Sequence, residues 1–209
     1  MKKKSTQFRW LVTMLLLVTA MAMPASTWAQ PNGEGTEAKP YQIGTPEELY
    51  WFAALVNGTN GLTQNRSANA VLTTDITVNT GVLNSEGTLN ENYSNFITWT
   101  PIGYFESYTG TFDGQGHTIS GLYFNNKDLD IVGLFGSNSG TIKNVGVVDS
   151  YFYGHYNVGG VCGYNEAINE ATSSEGHTVV TATIENCFYC SDTCKDMWGA
   201  NGGVLLVKM

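Results

Sequence analysis

Apolar positions fall along this chain in two rhythms. Between residues 45 and 58, Leu49, Phe52, Ala53 and Val56 recur at the spacing of one helical face, behind a Thr45-Pro46-Glu47-Glu48 start. There Thr45 can cap, Pro46 suits the first helical position, Glu48 can complete a capping box and Gly58 suits the end. Trp51 and Leu55 extend the apolar surface to other sides, so the spacing predicts a helix packed over more than one face, lying across the end of a β-structure. Beyond it, runs at residues 70–78, 96–102, 109–112 and 117–124, and others toward residue 209, are short, rich in β-branched and aromatic residues, and divided by Gly, Asn, Ser and Asp. That pattern predicts an all-β domain carrying one substantial helix.

Within the β-rich part a short pattern recurs three times: Thr118-Ile119-Ser120-Gly121-Leu122, Thr141-Ile142-Lys143-Asn144-Val145 and Thr183-Ile184-Glu185-Asn186-Cys187. The isoleucines lie 23 and then 42 residues apart. The longer gap reconciles because Gly133-Leu134-Phe135-Gly136-Ser137-Asn138 matches Gly160-Val161-Cys162-Gly163-Tyr164-Asn165 at an offset of 27, which leaves a polar insertion of 15 residues before Thr183. A strand-and-corner unit repeated in this way predicts a parallel β-solenoid, since Gly and Asn tolerate the left-handed backbone at corners and equivalent positions stack. In that registration Ile119, Ile142 and Ile184 form one inward column, Leu122, Val145 and Cys187 another, and Asn144 lies over Asn186. A β-sandwich of hairpins is the alternative.

The residues Gly133-Leu134-Phe135-Gly136, followed by Ser139-Gly140-Thr141-Ile142-Lys143-Asn144-Val145, resemble the GLUG repeat of bacterial surface proteins. The segment from Gly110 through Asp113-Gly114-Gln115-Gly116 to Ile119 is similar to β-helix rungs that precede it in such proteins, and residues 41–57 resemble their N-terminal capping segment. The second copy departs at Val161 and Cys162 and carries the insertion. The resemblance implies a right-handed parallel β-helix with an N-terminal capping α-helix, in exported, cell-surface or adhesin-like proteins and in the non-catalytic regions of some immunoglobulin A peptidases. It transfers no catalytic residue.

The N-terminus reads as an export signal over residues 1–29: Lys2, Lys3, Lys4 and Arg9, an apolar stretch over residues 10–22, and Thr27-Trp28-Ala29 with cleavage after Ala29. Residues 30–40, with three prolines and glycines among the first six, read as a flexible leader, and residues 41–209 as the domain. Residues 198–209 lack the polar character of a terminal cap, so a C-terminally truncated repeat protein is one reading. No second long apolar run predicts an integral membrane span once the signal is gone. The expected location is the outer envelope or the medium.

Losing the four basic residues of the signal would take the net charge from −8 to −12. Such a surface repels phosphate backbones and excludes nucleic acid as a partner. The partners expected are a host or cell-envelope glycan or protein. Four cysteines, Cys162, Cys187, Cys190 and Cys194, cluster late in the chain; export favours buried thiols or disulfides of unknown pairing over a metal or redox centre. Neither cofactor nor metal is expected.

Asp113, Asp128, Asp130 and Asp149 are the carboxylates that a β-helix glycoside hydrolase would use, but they sit in turn-like contexts where Asp ordinarily bonds backbone amides. A lyase would need a basic cluster, and the basic residues and His117, His155 and His177 are scattered. A polysaccharide-degrading enzyme is therefore the runner-up to an adhesin-like binding module, without catalytic residues assigned. Tyr151, Tyr153 and Tyr156 are the candidate ligand-binding residues: if Phe152 points inward, alternation exposes the tyrosines for stacking on sugar rings or a protein.

Overall fold

In a computed structural model, residues 28–166, 168–170, 178–180, 182–189 and 203–207 are described. The proposed signal segment up to residue 27, together with His177, Cys190 and Cys194, lies outside them. The chain begins with strand β1 (Tyr41–Ile43) and helix α1 (Pro46–Asn57). The helix starts where local chemistry predicts: the Thr45 hydroxyl accepts the Glu48 amide, the Glu48 carboxylate accepts the Thr45 amide, and Gly58 ends it in the left-handed conformation at φ 65°. Every residue from Leu49 to Asn57 is buried, because neighbours surround the helix on several sides.

Short strands follow: β2 (Ala70–Leu72), β3 (Ile76–Thr77), β4 (Thr111–Asp113), β5 (Thr118–Ser120), β6 (Tyr123–Asn125), β7 (Phe135–Asn138), β8 (Thr141–Lys143), β9 (Gly146–Val148) and β10 (Ser150–Gly154). After these come β11 (Cys162–Asn165), β12 (Ile168–Glu170), β13 (Thr178–Val180), β14 (Thr183–Glu185), β15 (Phe188–Tyr189) and β16 (Gly203–Val207). Corners between them carry left-handed residues, with Gln115, Asn144, Asp149, Asn157 and Asn186 all at positive φ. Asn and Asp accept this conformation more readily than other side chains.

The expectation of one continuous right-handed parallel β-helix is corrected here. No solenoid runs through the described residues; their strands are shared among five small sheets, ordered β1-β2-β4-β8-β14, β15-β9-β5-β3, β16-β10-β6, β11-β7 and β12-β13. Most pairings are parallel, but β10 with β16 and β12 with β13 are antiparallel. A short strand-and-corner motif specifies pairing with its equivalent and nothing about the length of chain between. Long excursions such as residues 79–97 therefore leave the ladders and build packing of their own.

The registers also correct both inward columns. Ile142 lies opposite both Ile184 and Phe112, whereas Ile119 lies opposite Val147 and Ile76 in a different sheet. Leu122 is likewise taken away from Val145 and Cys187: its amide donates to the Ser150 hydroxyl at 2.9 Å. The reason is that Thr118-Ile119-Ser120-Gly121 turns a different corner from Thr141-Ile142-Lys143-Asn144, although both are a strand ending in a left-handed residue. By contrast Phe135, Ser137 and Asn138 face Cys162, Tyr164 and Asn165, the 27-residue offset read from the sequence. Gly133, Leu134, Phe135 and Gly136 are all buried at the entry to β7.

Residues 30–40 do not form a free leader. The Gln42 amide donates to the Asn32 carbonyl at 2.7 Å, Glu34 to Lys39 at 2.9 Å, and Asn69 to Gly35 at 2.8 Å, so the segment closes on β1 and on the chain entering β2. Composition alone misread it: the glycines there allow close backbone approach, with Gly33 against Pro40.

The core is aromatic where α1 meets the sheets. Phe52 packs its ring against Tyr41, Tyr108 and Phe112, and Phe112 packs edge-on against Phe135 at 5.2 Å. Buried polar tips find partners: Trp99 Nε1 donates to the Gly133 carbonyl at 3.0 Å, and the Tyr108 hydroxyl to that of Ala68 at 2.8 Å. A second, smaller cluster gathers Val82, Phe96, Tyr123 and Tyr151 beneath the 79–97 excursion.

Candidate functional site

Phe152 on β10 points into the core, which meets the condition set for exposed tyrosines. The three tyrosines beside it do not form one open platform. Tyr151 is only 8% exposed, stacked on Tyr123 with centroids 6.0 Å apart and covered by the Val82 and Phe96 cluster. Tyr153 is half-buried against that cluster. Tyr156, at the following turn, is 41% exposed, with its ring 3.8 Å from that of His155. Burial raises the Tyr151 phenol above its ordinary range, with the Tyr123 and Tyr153 phenols adding to the shift.

The candidate carboxylates hold turns. Asp113 accepts the Gln115 amide at 2.9 Å and the Asn144 side-chain amide at 3.0 Å, with the Lys143 ammonium 3.6 Å away. Asp130 takes the Tyr156 amide at 3.0 Å and faces His155 Nδ1 at 3.1 Å. Asp128 pairs with Lys127, and Asp149 turns a corner at φ 45°. His117 lies 3.4 Å from Asp75, whose carboxylate accepts the Thr118 amide and is held below its usual range chiefly by that bond.

Cys162 and Cys187 are free thiols, each half-buried. Each sulfur sits near main-chain carbonyls: Cys162 near Tyr164 at 3.3 Å and Gly136 at 3.6 Å, Cys187 near Glu185 at 3.3 Å. Burial pushes the Cys162 thiol up to about 12 and raises that of Cys187, so both are poor thiolates at neutral pH. Among the described residues no three metal-ligating side chains come together.

Among the described residues a concave site lies elsewhere, on α1. Tyr50, Ala53, Ala54 and Asn57 share a helical stripe, and the two alanines leave a depression between the larger residues at its ends. Thr59 and Asn60 continue its floor past the helix end, and Thr98, Thr100 and Phe105 form the opposite wall. The cavity measures about 250 Å³. Its walls are fixed in place: the Tyr50 hydroxyl donates to the Thr98 carbonyl at 3.1 Å, and the Asn57 side chain donates to the Pro101 carbonyl and accepts the Tyr104 amide, each at 3.0 Å. Trp28 closes one side, its indole stacked on Tyr50 with centroids 6.1 Å apart. The Trp28 Nε1 is buried without a hydrogen-bond partner. None of these residues stands out in the sequence, where Ala53 reads as core and Trp28 as part of a cleaved signal. The clue available was the i, i+3, i+4, i+7 stripe of small and polar residues on the helix face next to the core.

No protein-family profile matches the chain. Halomucin of Haloquadratum walsbyi (strain DSM 16790 / HBSQ001) is 31% identical over 138 residues, which is 63% of this chain and 1% of halomucin. The chain thus matches one small segment of a far longer protein. Among solved structures, a candidate immunoglobulin A1 protease from Bacteroides ovatus superposes with a TM-score of 0.45 and 16% identity, over 77% of this chain and 40% of that one. Among the described residues no helix is long and apolar enough to cross a membrane.

Proposed function

We propose that this protein acts at the cell surface or in the medium as a binding and structural module, of the adhesin-like kind that its GLUG-type residues resemble. The observation that carries the proposal is the 31% identity to halomucin across 138 residues, 63% of this chain. The physical reading agrees with it. Short parallel ladders are tied together by side-chain bonds at their corners, as between Asn186 and Asn144, and hold the turns between them in place. The partner class is a host or cell-envelope glycan or protein.

The test is location. An epitope placed after residue 209 in the native host should be found in the envelope or medium, should be lost when intact cells are treated with protease, and should belong to a chain whose first residue is Gln30. A chain that stays in the cytoplasm with residues 1–29 attached would overturn the proposal.

A further inference from the structure

We infer that the groove on α1 is a binding site for a neutral pyranose unit of a glycan, shut by Trp28 and opened when the export signal, residues 1–29, is removed after Ala29. The inference rests on the export reading, since only processing at that bond takes Trp28 away.

The present occupant shows what the groove accepts. The Trp28 indole is flat and apolar, lies at 27° to the Tyr50 ring, and is held there by stacking rather than by its polar edge, because its Nε1 has no acceptor. A site built for an indole would supply one, since an unpaired buried donor costs about 1–3 kcal/mol. Removing Trp28 uncovers the Tyr50 ring, whose orientation is set independently by its hydrogen bond to the Thr98 carbonyl. The site is then preformed.

What surrounds that ring selects the ligand class. No charged side chain lines the groove, so neither a phosphate, a uronate nor an ammonium group gains a partner there. The neutral side chains of Thr59, Asn60, Thr98 and Thr100 line it, placing hydroxyl and amide donors and acceptors around an aromatic face. A pyranose presents the complementary surface: an apolar C–H face to stack and a rim of hydroxyls to bond. Phe105, 66% exposed at the mouth, can stack on a neighbouring sugar unit. Cavities for small ligands run from about 300 Å³ upward. Departure of the indole adds its own volume to the 250 Å³ present beside it.

The experiment compares the processed chain, purified from the medium or envelope and checked by mass for its first residue, with the precursor retaining residues 1–29 in mild detergent. Both are applied to an array of neutral oligosaccharides, with acidic oligosaccharides and N-acetyl-tryptophanamide as controls. The processed chain is expected to bind a neutral sugar, the precursor at least tenfold more weakly, and Trp28→Gly in the precursor to restore binding. Phe105→Ala and Thr100→Val should each weaken the processed chain about tenfold while leaving its thermal unfolding unchanged, and Tyr153→Ala should leave binding intact. Binding to no neutral sugar, equal binding by precursor and processed chain, preference for N-acetyl-tryptophanamide, or loss of binding in Tyr153→Ala alone would each overturn the inference. An exported, processed chain that binds no sugar sinks the groove and spares the surface role; a chain never processed sinks both.

Discussion

The side-chain amide of Asn186 donates to the side-chain oxygen of Asn144 at 3.2 Å, although 42 residues of chain separate the two. Asn144 passes the contact on, donating to Asp113 at 3.0 Å. Both asparagines hold a left-handed backbone, at φ 54° and 50°. One residue type thus performs two tasks at each corner: it turns the strand and ties that turn to its neighbours.

Substitution can separate those tasks. Asn144→Gly keeps the left-handed turn and removes the side-chain bonds, at a cost of about 1 kcal/mol. Asn144→Ala also forces a Cβ without local hydrogen bonding into that region, adding about 1–2 kcal/mol. Urea unfolding should therefore rank wild type above Asn144→Gly and Asn144→Ala lowest. Equal midpoints for the two variants would show that the corner bears no conformational demand.

The same corner carries a pH dependence. Burial acts to raise the Asp113 carboxyl, but the bonds from Asn144 and from the Gln115 amide, with the Lys143 ammonium, outweigh it and leave the group below its ordinary range. A folded value depressed below the unfolded one, about 3.9, gives stability that is present above that pH and lost as the pH falls through the folded value. The stability difference between wild type and Asp113→Asn should accordingly be constant near neutrality and shrink below about pH 4. A difference that widens with acid would reverse the sign assigned to this group.

Legibility in the sequence tracked locality. The capping box of α1 involves residues three apart, and no distant segment competes for them, so the helix could be read to its ends. The 27-residue offset of Phe135 and Cys162 was legible because a whole run of residues matched. The Thr118-Ile119 unit was misassigned because one corner looks like another: a strand followed by a left-handed Gly or Asn says that the chain turns, not at which edge of the fold. Alternation gave only that Phe152 and its neighbouring tyrosines take opposite faces, whereas the burial of Tyr151 depends on the excursion through Val82 and Phe96, dozens of residues earlier. The groove on α1 was illegible for a related reason. Two alanines make a depression only when the segment holding Thr98 and Thr100 stands opposite them.

The thiols offer a chemical check. With its thiol pushed up to about 12 from 9.0, Cys162 carries on the order of a thousandfold less thiolate at pH 8 than an unperturbed cysteine. Alkylation by iodoacetamide should mark Cys162 only after denaturation, and a non-reducing digest should show no disulfide joining it to Cys187. Rapid labelling in the native protein, or a peptide pair linked through these two residues, would contradict the burial and the free-thiol assignment.

Ile142 and Ile184 occupy the same place in the repeat and pair directly across β8 and β14, yet their surroundings differ. Ile142 has neighbours on both sides, Phe112 and Ile184, and is fully buried; Ile184 belongs to the last strand of its sheet and is 38% exposed. Deleting three buried carbons from a site walled on both sides removes transfer energy and leaves a cavity, so Ile142→Ala should cost about 2–5 kcal/mol. At the end of the ladder the same change opens onto solvent, and Ile184→Ala should cost less than about 1 kcal/mol. Chemical denaturation of the two variants measures the ratio. If Ile184→Ala proves as damaging as Ile142→Ala, a further layer must cover β14 in solution, and the edge drawn there is not an edge.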